Sequence, residues 1–150
     1  MADDYAEYER QCKRIRKQNA KLLAAFGEWL AAKGLSAAMA AKHCDNMEFY
    51  LNEFLLYEDA LEAEDGVGKA GMFLGYWFIR KAMWASRASI KSNAVSIQKF
   101  YTFMLEMGRV KQEDLDRLKT RIRAEMPEWL ATLARYDDPD ITDPEEIWGS

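Results

Sequence analysis

Apolar side chains along this chain recur at intervals of three and four, the spacing that places them on one face of an α-helix. Leu22, Leu23, Phe26, Trp29 and Leu30 form the first such stripe. They sit in a segment that predicts a helix over residues 4–33, with a stop at Gly34. Ser36 is a candidate N-cap for a second helix, in which Met39, His43, Met47, Tyr50, Leu51 and Phe54 follow at helical spacing as far as Tyr57. The run EDALEAEDGVGK then brings acids and two glycines and predicts a loop with one extra turn. A third helix over residues 69–83, KAGMFLGYWFIRKAM, is apolar nearly all round and is expected to be largely buried. Ser86 caps a fourth, whose core face is Ile90, Ala94, Ile97, Tyr101 and Met104 and which Gly108 closes. Leu115, Leu118, Ile122 and Met126 stripe a fifth helix over residues 112–135. Pro127 predicts a kink or a restart there, with Trp129, Leu130 and Leu133 packing beyond it. No alternating strand pattern, repeat or low-complexity segment interrupts the series, so the expected class is all-α.

Composition narrows this little further. A chain of 150 residues, 49% apolar and 31% charged, is expected to form one domain with a core that needs no staples. Its longest uncharged run, residues 70–79, is far short of the roughly 20 residues a membrane span needs. The start, MADDYAEYER, has no apolar signal core, so the expected location is cytoplasmic. Cys12, Cys44 and the single histidine, His43, lack metal-ligand spacing; two free thiols and no metal are expected. Tyr76, Trp77, Phe78 and Trp84 have the composition of a stacking platform, but their helical spacing and apolar neighbours favour core. No glycine-rich phosphate loop or nucleophile–base pair occurs, so no enzyme, cofactor or small-molecule substrate is expected.

Charge is more informative. The net charge of −4 hides strong segregation. Residues 22–65 carry two basic and nine acidic side chains, residues 66–105 six basic and none acidic, and residues 137–150 six acidic and none basic. Asymmetry of this kind, and not the total, bears on polyanion partners. On a helical wheel Arg87, Lys91 and Gln98 share a ridge beside the fourth helix's apolar face, with Lys99 flanking the ridge and Asn93 flanking the core. Arg80 and Lys81 join that ridge if the turn at Ala85 folds back. Such a ridge faces solvent, meets the molecule's own acidic hairpin, or meets phosphates. The N-terminal cluster Arg10, Lys13, Arg14, Arg16 and Lys17 is either a phosphate-binding arm or, with Asp3, Asp4, Glu7 and Glu9 interspersed, a set of ordinary helical charge pairs; the second is favoured.

The succession LLAAFGEWLAAKGLS, the spaced Met47, Leu51 and Phe54, and SRASIKSNAVSIQKFYTFMLEMGRV resembles the core-binding domain of tyrosine recombinases, the SAM-like N-terminal domain of phage-type integrases. The carriers are Phe26, Leu30, Gly34-Leu35-Ser36, Ser89, Ile90, Phe100, Tyr101, Leu105, Gly108 and Val110, and the likeness spans residues 21–110. It implies a SAM-like orthogonal bundle of four to five helices that clamps one face of duplex DNA with its second and fourth helices. Carried over by position, Arg87, Lys91, Gln98 and Lys99 face DNA from the fourth helix and Lys42 from the second. Two departures stand out. The family's catalytic domain, with its tyrosine nucleophile and His-x-x-Arg box, has no counterpart, since the one histidine lies in the second helix. That helix also carries Asp45, Glu48 and Glu53, which repel phosphate. The expected organisation is a helical extension (residues 1–20), the helical domain (21–136) and an acidic, disordered tail (137–150). The expected role is a non-catalytic DNA-binding module. The alternative is a helical protein-interaction or self-association module, in which one copy's acidic hairpin meets another copy's basic ridge.

Overall fold

The structure, a computed structural model, describes residues 2–137; the acidic tail lies outside them except for its first residue. The described residues are all-helical. Helix α1 spans Ala2–Ala32, and α2, residues 37–54, joins Ala37–Glu48 to a π-helical turn over Phe49–Phe54. A 3₁₀ segment, Ala63–Gly68, leads to α3 (residues 70–81), which runs as Ala70–Met72, a π-helical Phe73–Trp77 and Phe78–Lys81. Helix α4 covers Arg87–Glu106 and α5 Gln112–Asp137.

The punctuation follows local chemistry. Ser36 and Ser86 accept the backbone N–H groups of Met39 and Ser89, and the Ser89 hydroxyl accepts the Ser86 N–H at 2.7 Å, which completes a reciprocal cap. Gly34 and Gly108 hold φ of 92° and 73°, the left-handed region where a Cβ is strained. Behind them Leu35 N–H returns to the Leu30 carbonyl and Arg109 N–H to that of Met104, closing both helix ends.

Three expectations need correction. Of the kink or restart expected at Pro127, the restart does not occur: helix α5 continues through the proline. Pro127 and Arg123, whose carbonyl loses its donor, both lie on the exposed side, where water can replace the bond. Helix α3 ends at Lys81, two residues early, because Ala82 turns extended. It is also less buried than its composition suggests: Phe73, Leu74, Phe78 and Ile79 are inside, but Met72 and Tyr76 are 60% and 55% exposed.

One apolar cluster unites all five helices. Phe26 of α1 meets the Phe100 ring edge-on at 5.2 Å and Phe103 at 5.6 Å, joining α1 to α4. The two π-helical turns face each other, with Phe54 at 5.0 Å from Phe73 and 5.4 Å from Trp77. Buried Tyr50 and Tyr101 donate to the Gly66 and Ala63 carbonyls at 2.6 and 2.7 Å and pin the 3₁₀ segment; burial pushes both phenols upward in pKa. A separate small cluster of Cys12, Ile15 and Leu56 holds the first half of α1 against the end of α2. The Tyr8 hydroxyl donates to the Leu56 carbonyl there, and Arg14 pairs with Glu62 at 2.9 Å.

Candidate nucleic-acid interface

Helices α2 and α4 pack through a polar seam. Asn46 Nδ2 donates to the hydroxyls of Ser92 (3.1 Å) and Ser96 (2.9 Å), and Ser96 in turn donates to the Ser92 carbonyl at 3.0 Å. His43 Nδ1 lies 2.7 Å from Ser96 Oγ. The Ser96 hydroxyl has one proton for two acceptors, the Ser92 carbonyl and His43 Nδ1; in the tautomer in which it goes to Ser92, Nδ1 carries its own hydrogen and donates, and Nε2 is the basic nitrogen. Burial first, then the charges of Lys99 and Lys42, holds the imidazole below its ordinary pKa.

Above this seam lies an open cleft of about 510 Å³. Lys42 stands on its α2 wall and Lys91 and Lys99 on its α4 wall, and Met39 and Val95 line it with them. Lys42, remote in sequence, thus lines one hollow with Lys91 and Lys99, and no carboxylate lines it with them. Helix geometry explains the set. Lys91, Val95 and Lys99 recur every four residues along one ridge of α4. The seam residues Ser92 and Ser96 sit one position further round, against α2.

The molecule's carboxylates are elsewhere. Among the described residues the ion pairs are Arg10–Glu7, Arg14–Glu62, Lys33–Glu106, Arg109–Glu64, Arg117–Asp114 and Arg121–Glu125. None engages Lys42, Arg87, Lys91 or Lys99. The acidic hairpin directs Glu62 and Glu64 to α1 and to the α4–α5 turn, not to the basic ridge. Asp45, Glu48 and Glu53 line a different hollow, beside Phe49 and Asn52.

The other sequence candidates are more scattered. Arg87 is exposed one turn before Lys91, and Gln98 is half-buried outside the cleft. Asn93, placed at the edge of the core, is buried and donates to the Ser89 carbonyl. Arg80 lies over the rings of Tyr76 (4.0 Å) and Tyr136 (5.5 Å), and Lys81 donates to the Tyr57 hydroxyl at 3.1 Å, so both are engaged away from the cleft. Of the aromatic set, Phe78 is core, Trp77 half-buried, and Tyr76 and Trp84 exposed. Met39 and Val95 were not legible as cleft residues: Met39 fits the inward stripe of α2 yet is 46% exposed. Cys12 and Cys44 are both free thiols; burial and then Asp45 raise the Cys44 pKa, which keeps it protonated. No helix among the described residues is long and apolar enough to cross a membrane.

No protein-family model, curated protein or solved structure matches this chain.

Proposed function

We propose that this chain is a non-catalytic DNA-binding module of the integrase core-binding kind, which holds duplex phosphates across the α2–α4 cleft. One observation carries the reading: Lys42, Lys91 and Lys99 converge from two helices on an open hollow with no carboxylate among its lining residues. Cations without local partners keep their charge for a polyanion, and lysine suits phosphate as a point charge. Arg87, one turn along the same ridge, extends the track. Met39 and Val95 add apolar surface of the sort that meets sugars or thymine methyl groups.

Titration of a random duplex at two salt concentrations tests it. Each neutralised phosphate releases counterions, so affinity must fall steeply as salt rises. The Arg87→Glu/Lys91→Glu double variant should lose binding at least tenfold while its far-UV spectrum and melting midpoint stay unchanged, since both side chains are exposed. Wild-type affinity in that variant removes α4 from the interface.

A second reading rests on the separate acidic hollow of Asp45, Glu48 and Glu53, whose charge complements the lysine cleft of another copy. Sedimentation separates the two. A dimer that dissolves at high salt, in a protein with no duplex affinity, favours self-association.

A further inference from the structure

Beneath the lysines sits the chain's single histidine, and its chemistry extends the DNA-binding reading on which this inference rests. Its Nδ1 is held by Ser96 at 2.7 Å on the floor of the cleft. Its Nε2 has no partner among the described residues. Nor is it sealed from water, since the described buried side-chain nitrogens and oxygens without a partner are Asn19 Oδ1 and Trp77 Nε1. We propose that a phosphate backbone seated in the cleft draws a proton from solvent onto His43 Nε2, so that duplex binding and protonation of this side chain are coupled.

The charged surroundings set the direction. Helix α2 contributes Lys42, and α4 contributes Lys91 and Lys99. Helix α1 packs on the other side of α2, where the Cys44 thiol contacts the Leu23 carbonyl at 3.8 Å. In the α1–α2 turn, Lys33 is engaged by Glu106 and the Trp29 ring. The α2 carboxylates Asp45, Glu48 and Glu53 line the separate hollow beside Phe49, and the charges that act on the imidazole, Lys99 and Lys42, oppose its protonation. A phosphate chain bridging those lysines cancels their repulsion and supplies an acceptor for Nε2–H. The imidazolium then becomes a further cation of the interface. Linkage makes the effect reciprocal: if duplex raises the protonation midpoint, falling pH tightens duplex binding.

One histidine makes the readout unambiguous. Its C2–H resonance is followed against pH in the free protein and in the protein saturated with a random 20-base-pair duplex at low salt. The expected result is an upward shift of about half a pH unit or more, with affinity tighter at pH 5.5 than at pH 7.5 and approaching about threefold well below both midpoints. In the free protein, Lys42→Gln/Lys99→Gln should raise the midpoint by itself and shrink the duplex-induced shift. A duplex that binds and leaves the midpoint where it was overturns the coupling and spares the DNA reading. Absence of duplex binding at both pH values overturns both. A free-protein midpoint indifferent to the two lysines removes the electrostatic route.

Discussion

His43 shows how one side chain carries consequences for stability as well as binding. Burial and two lysines depress its pKa in the folded protein. Between that lowered midpoint and the ordinary value of about 6.5 the unfolded chain holds a proton that the native chain does not. The resulting stability is complete above about 6.5 and is lost as pH falls through the native midpoint. The urea midpoint should therefore drop from pH 7.5 to pH 5.5, and His43→Gln should flatten that dependence; an equally steep slope in the variant would place the titration elsewhere. The sequence marks His43 as an inward member of the α2 stripe but cannot reveal its charged neighbours. Lys99 is 56 positions away and reaches it only because α2 packs on the Ser92–Ser96 side of α4. The wheel likewise groups Gln98 with Lys91, because it gives the face of α4 and not the direction from which α2 approaches. Gly75 is a parallel case: a Cβ there would stand 2.6 Å from the Trp129 ring, a contact invisible until α3 and α5 are brought together.

Where a helix begins and ends was written in short local signals, and those were the most legible part of the chain. Ser36, Ser86, Gly34 and Gly108 all act as their positions suggest. The cap at Ser86 matters most, since it fixes the first turn of the helix that carries Arg87 and Lys91. Ser86→Ala removes the acceptor for Ser89 N–H and should cost about 1 kcal/mol in chemical denaturation. A loss below a few tenths would mean that the Ser89 hydroxyl, which also bonds the Trp84 and Ser86 carbonyls, holds the turn alone. Less legible were the wide turns within α2 and α3. Their sequences, FYLNEF and FLGYW, look like ordinary amphipathic or buried helix. The aromatic rings that interleave across them come from opposite elements, so the crowding is a tertiary fact. Pro127 brings no restart for a related reason: the consequence of a lost backbone donor depends on whether the orphaned carbonyl sees water, and here it lies on the exposed side.

Across the molecule, acids and bases are sorted into separate territories. Glu62, Glu64 and Glu106 brace α1 and the α4–α5 turn, whereas the α2–α4 cleft keeps its lysines unneutralised. The sequence shows this sorting as a run without carboxylates, but not that Lys42, from an otherwise acidic helix, completes the basic surface. Cohesion is divided too. The second half of α1 shares the main core through Leu22, Phe26 and Leu30, while the first half is held by Cys12, Ile15 and Leu56. With so few apolar contacts the first half is the weaker attachment, and amide exchange should be faster over residues 5–15 than over residues 22–30. Uniform protection along α1 would contradict that grading. Cys12, 3% exposed in the closed state, then becomes a clock for the event: a thiol reagent labels it only when the helix peels away, so its labelling rate times the lifting of one end of the molecule while the remainder stays folded.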